Sequence, residues 1–97
     1  MSLEVEKSAD EIIIKPIGEF DFRLDEAFRK AYQNEKPDMR YILDLKKVTW
    51  LDSTALGMMI KLHAHTGGNI DIKIINSSSA VKEVFNIVHF SDMFEIL

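Results

Sequence analysis

The spacing of apolar and polar positions changes period several times along the chain. Leu3 to Lys7 (LEVEK) alternates and Glu11 to Ile17 (EIIIKPI) is β-branched, so both predict strands, antiparallel across the short Ser8-Ala9-Asp10 link. Pro16 suits the end of the second strand, because it has no ladder donor. The period then becomes helical: Leu24, Ala27, Phe28 and Ala31 fall at i, i+3, i+4 and i+7, with Asp25 and Glu26 in the first turn and Asn34 and Pro37 closing it. Tyr41 to Leu45 is an apolar-rich run broken only by Asp44, which suits a strand covered on both faces. A loop from Lys46 to Leu51 leads into a second helix, which carries Leu56, Met59, Ile60 and His63 on one face and stops at Gly67-Gly68. Asn69 to Ile75 (NIDIKII) reads as a further strand close to a sheet edge. Asn76 to Ser79 is a loop and N-cap cluster before a third helix with Val81, Val84, Phe85 and Val88 at helical spacing. His89 to Asp92 ends that helix, and Met93 to Leu97 is a last short strand.

The predicted order is β-β-α-β-α-β-α-β, an α/β domain on a mixed sheet with short helices, and one domain occupies residues 1–97. Right-handed crossovers place the Lys46–Leu51 loop and the helix start at Ser53 on the carboxyl edge of the strands, where open α/β sheets engage ligands and partners. The chain is organised around this start. Asp52 is a good N-cap, and Leu51 and Leu56 fall at N′ and N4 as a hydrophobic staple. The Ser53 hydroxyl therefore sits in the first turn, beside unpaired N–H groups and the positive end of the helix dipole. A phosphate is well received there, although Asp-Ser-Thr is also ordinary capping chemistry, and spacing alone leaves both readings open.

Composition narrows the classes. The absence of cysteine removes disulfides and thiolate metal sites and fits a reducing cytoplasm. No apolar run approaches the roughly 18 residues of a membrane span, no secretory signal is visible, and 46% apolar with 29% charged residues is a globular balance. A formal charge of −4 argues against nucleic acid as the main partner. His63 and His65 are two apart on a helix and do not share a face, so no metal is expected. No glycine-rich phosphate loop is present and no cofactor is called for. A hydrolase on Ser53 would need a base and an oxyanion hole, yet the Gly-x-Ser-x-Gly elbow is missing and no histidine lies near in sequence.

The segment VTWLDSTALG, after a strand ending in LDL, resembles the STAS family of bacterial anti-sigma-factor antagonists. The family pattern opens a helix with Asp-Ser-(Ser/Thr)-Gly-Leu-Gly. Asp52, Ser53, Thr54, Leu56 and Gly57 match it, and Ala55 departs from the usual glycine. Gly18-Glu19-Phe20-Asp21 is similar to the family segment after the second strand, which makes Asp21 a candidate surface contact next to Ser53, although as a sequence feature it reads first as a cap, and Ser79 stands where a proline is frequent. The resemblance spans nearly the whole chain and implies a STAS-like domain without the usual last helix. One sheet face is then expected to be incompletely covered, which implies self-association, as a homodimer, or a partner there.

The resemblance also implies a noncatalytic switch. The dephosphorylated form would bind a partner serine kinase/anti-sigma factor, phosphorylation at Ser53 (with Thr54 as a minor acceptor) would release it, and a phosphatase would reset it. Asp21, Trp50, Asp52, Thr54, Ala55, Leu56 and Met58 would form the docking rim. The alternative is a constitutive STAS adaptor subunit of a larger complex such as a lipid-transport (ABC) system, in which the same helix start is a fixed docking surface.

Overall fold

The computed structural model describes residues 2–68 and 72–97. Its strands are β1 (Ser2–Lys7), β2 (Glu11–Phe20), β3 (Arg40–Asp44), β4 (Val48–Leu51), β5 (Lys73–Ile75) and β6 (Glu95–Ile96), and its helices are α1 (Asp25–Tyr32), α2 (Ser53–His65) and α3 (Ser79–Ile87). Two 3₁₀ turns, Phe22–Leu24 and Phe90–Asp92, precede α1 and β6. The sheet runs β1-β2-β3-β5-β6, with β4 also on β2. β1 is antiparallel to β2, as the short link requires, and the other pairings are parallel. The architecture is the single mixed-sheet α/β domain with three helices that the periodicity predicts.

One face of the sheet carries the core. Ile12, Ile14, Tyr41, Leu43 and Ile74 are essentially inaccessible, while the residues between them, Ile13, Ile42 and Asp44, are only half-buried. That alternation identifies a two-layer domain with one sheet face open, not the strand covered on both faces that Tyr41–Leu45 suggests. Phe20, Phe28 and Tyr32 form an aromatic chain from β2 to α1, with ring centroids 5.6 and 5.9 Å apart. Phe85, Phe90 and Phe94 do the same beneath α3, at 5.4 and 5.2 Å.

Four further differences concern β2, β4 and the first two helices. The region expected as a loop, Lys46–Leu51, contains β4: β2 continues past Ile17 to Phe20, and Gly18 to Phe20 offer Val48, Trp50 and Leu51 a partner, with a register shift between Gly18 and Glu19. Pro16 is consequently inside β2 instead of at its end. It falls between the β3 ladder, which stops at Ile14, and the β4 ladder, which starts at Gly18, so its missing N–H leaves no parallel ladder bond unmade. In α1, Ala27 is exposed and the buried stripe is Leu24, Phe28 and Tyr32. In α2 the buried stripe is Ala55, Met58, Met59 and Leu62, while Ile60 is 43% exposed. Nearly every residue of the first two α2 turns is apolar or small, so period alone does not select the inward side; the packed face is decided by the Asp52 cap and β4.

The remaining elements stand close to their expected places. β5 keeps Lys73–Ile75 of the strand expected from Asn69, and residues 69–71 lie outside the described residues. α3 is capped by Ser78 and ends before Val88, which is exposed instead of completing the buried stripe. β6 is shorter than Met93–Leu97, because the second 3₁₀ turn draws Met93 and Phe94 under the core.

Candidate functional site

Two chain segments leave the sheet side by side and build the site. Phe20 and Leu51 are paired at the ends of β2 and β4, and the Asp52 N–H donates to the Phe20 carbonyl at 3.4 Å. The segments that follow, Asp21-Phe22-Arg23 and Asp52-Ser53-Thr54, are thereby held next to one another. Each begins with an extended aspartate whose carboxylate caps the turn after it.

Asp52 Oδ1 accepts from the Thr54 N–H at 3.0 Å, the Ala55 N–H at 3.2 Å and the Thr54 hydroxyl at 2.5 Å. Leu51 and Leu56, the residues placed for a staple, are half-buried and each packs on the core. Ser53 is the first residue of α2 and is exposed, and its hydroxyl makes no hydrogen bond among the described residues. The two adjacent hydroxyls thus differ in a way that spacing could not reveal: Thr54 is committed to the cap, and Ser53 is free.

Of the residues assigned to a docking rim, Trp50 is 44% exposed opposite Glu19, and Thr54 is exposed. Leu56 and Asp52 are half-buried. Ala55 is inaccessible and Met58 is 5% exposed, so Ala55 is core and Met58 offers only an edge. Asp21 is the cap that its position offers and not a surface contact, being 4% exposed. Its carboxylate is occupied by Arg23, whose Nε donates to both oxygens at 3.0 and 3.1 Å and whose Nη2 donates at 2.7 Å, while the Arg23 N–H supplies the cap at 3.0 Å. A short pair from Arg23 Nη2 to Glu19 extends the clamp back to β2.

The side-chain hydrogen bonds of Arg23 hold the Asp21 carboxyl below the usual carboxylate range. A depressed folded pKa stabilises the fold fully at pH above the unfolded value of about 3.9, and that contribution is lost as pH falls through the lower folded value. A carboxyl-carbon NMR titration is therefore expected to place the Asp21 midpoint below that of exposed aspartates, and Arg23→Gln to raise it. An Asp21 midpoint at or above the ordinary value would show that the clamp does not hold in solution.

Sequence reasoning missed the exposure of Phe22, the groove it lines and the place of Gly57 in that groove. Phe22 is 66% exposed, because the turn at Asp21 rotates it out of the alternation that buries Phe20. Phe22, Asp25, Thr54, Gly57, Met58 and Lys61 line a groove of about 400 Å³ between the 3₁₀ turn and α2. Gly57 lies mid-helix, where glycine costs roughly 0.5–1 kcal/mol relative to alanine, yet a Cβ there would meet nothing within 4 Å. The available signal was an unforced glycine inside a strong helix pattern.

His63 and His65 serve packing. His65 Nε2 lies 2.9 Å from the Glu35 carbonyl, its ring between Tyr32 and Tyr41, and the His63 ring meets Phe94 at 5.6 Å. Among the described residues no group of three or more His, Cys, Asp or Glu is placed to hold a metal ion, and no helix is long and apolar enough to cross a membrane.

Residues 2–97 match the STAS domain family. A STAS-domain containing protein of Pseudomonas aeruginosa (strain UCBPP-PA14) is 39% identical over 100 residues, spanning 99% of each chain. The fold is similar to an anti-sigma factor antagonist from Mycobacterium paratuberculosis, with a TM-score of 0.81 and 17% identity over 98% of this chain and 83% of that one. It is also similar to the anti-sigma factor antagonist SpoIIAA. The unphosphorylated form matches with a TM-score of 0.74 and 16% identity over 99% of this chain and 87% of that one. The phosphorylated form from Bacillus matches with a TM-score of 0.66 and 15% identity over 99% and 91%.

Proposed function

The chain belongs to the STAS domain family, and from that premise we propose that it is a noncatalytic, phosphorylation-controlled binding switch. In this reading the dephosphorylated protein binds a partner serine kinase of the anti-sigma-factor kind. Phosphate transferred to Ser53 ends the complex, and a phosphatase restores it. The observation that carries the reading is the Ser53 hydroxyl, exposed and without a hydrogen-bond partner among the described residues in the first turn of α2, while the neighbouring Thr54 hydroxyl is held by Asp52.

The chemistry of the site supports a substrate role better than a catalytic one. His63 and His65 are ten and twelve residues along α2 from Ser53, roughly 15 Å or more at 1.5 Å per residue, and face the opposite end of the helix. The Thr54 and Ala55 N–H groups are already held by Asp52, so the support for added negative charge at this exposed position comes from the positive end of the helix dipole. SpoIIAA, which is similar in fold, is known in an unphosphorylated and a phosphorylated form, which is in keeping with a phosphorylation-controlled reading. The switch would work in the cytoplasm, where the kinase finds ATP.

Incubation with the cognate serine kinase and ATP, followed by peptide mass spectrometry, tests the proposal. One phosphate on Ser53, and none on Ser53→Ala, is the expected result. Phosphate on another residue, or none at all with an active kinase, would overturn it and leave a constitutive adaptor as the better description.

A further inference from the structure

We infer that the groove beside Ser53 seats one large apolar side chain of the partner, and that Lys61 at its rim meets a carboxylate next to that side chain. This inference rests on the switch reading and specifies the partner surface that the site accepts. Three observations converge on it. Phe22 is 66% exposed at the groove wall, and aromatic residues, phenylalanine included, are enriched at protein interfaces. Gly57 lines the groove at its α2 wall, where no backbone angle and no neighbour within this chain requires glycine, so the space above it is open to an incoming group.

Charge gives the third observation. Asp25, on one rim, is tied to Arg29 at 3.1 Å, whereas Lys61 makes no ion pair among the described residues. The unspent charge at the rim is therefore positive, on a protein whose formal charge is −4. A partner segment with an apolar residue flanked by aspartate or glutamate complements this arrangement, while a basic segment is repelled by Lys61. The groove includes Thr54, so a phosphate on Ser53 stands at its mouth, where it would oppose the same carboxylate.

Calorimetric titration of the full chain against the cognate kinase tests the assignment, using Phe22→Ala, Gly57→Leu and Lys61→Glu, with Ile87→Ser on α3 as the distant exposed control. Binding is expected to fall at least tenfold for each groove variant and to be unchanged for the control, with all four melting near the parent. Parent binding with undiminished groove variants would overturn the groove assignment alone. An equal loss for Ile87→Ser would move the interface elsewhere and overturn it too. A parent that does not bind the kinase at all would overturn the switch reading together with the groove.

Discussion

Ser53→Asp is expected to bind the partner kinase about two orders of magnitude more weakly than the parent while melting within a few degrees of it. The loss follows from desolvation. A charge that is buried at an interface without a counter-charge costs several kcal/mol, and a penalty of ~3 kcal/mol is about a hundredfold in affinity. Phosphate, with its charge of about −1.5 to −2, should act at least as strongly. The fold is spared because the substituted residue is the first of α2, exposed, with no side-chain hydrogen bond to break among the described residues. A negative charge there gains roughly 0.3–1 kcal/mol from the helix dipole, partly offset by Asp52 beside it. Ser53→Ala is expected to keep both affinity and stability. Calorimetry against the kinase and thermal melts of both variants separate the two effects. An aspartate variant that binds like the parent would remove charge as the switching device, and one that fails to fold would show that Ser53 is structural.

Local signals with a single physical solution were legible in the sequence. The Asp52 cap, the Leu51–Leu56 staple and the exposed start of α2 at Ser53 follow from residue chemistry within six positions, and the structure has all of them. The antiparallel β1–β2 pair was equally legible, because a link of three residues permits nothing else. What failed depended on distant chain. β4 exists because β2 runs three residues beyond its apolar run and offers an edge, and no property of Val48–Leu51 by itself reports that edge. The inward side of α2 was misread for a related reason: its first two turns are apolar nearly all round, so only the sheet decides between the stripe at Ala55, Met58 and Leu62 and the one at Leu56 and Ile60.

The docking rim inherited that error. Ala55 lies under the surface instead of on it. Asp21 is the cap its position offers but not part of the rim, for a different reason: Arg23, two residues on, folds back over it, and short-range ion pairing of this kind turns a surface-type residue into a buried one. Phe22 was overlooked because, as an aromatic residue near the start of a helix pattern, it reads as core. The free surface around Ser53 is accordingly built from Trp50, Thr54, Phe22 and Lys61, of which only the first two stood out in the sequence.

Phe20→Ala is expected to give the largest loss of stability at any position near the site. The ring is fully buried and packs on Phe28 with centroids 5.6 Å apart, at the point where β2 ends. Truncating a buried phenylalanine costs ~3–5 kcal/mol from lost transfer energy and the cavity left behind. Out of a total of roughly 5–15 kcal/mol, that is a large share, and in a domain of this size it lowers the melting temperature on the order of 20 °C. The consequence reaches the site through the backbone. Phe20 pairs with Leu51, and its carbonyl accepts the Asp52 N–H, so the same residue that wedges β2 against α1 also sets the start of α2. Phe20→Leu, which keeps most of the volume, should recover most of the stability. Thermal and urea melts monitored by circular dichroism check both variants. If Phe20→Ala melts within about 5 °C of the parent, equivalent to roughly 1 kcal/mol, the ring is not the wedge that holds the two turns together.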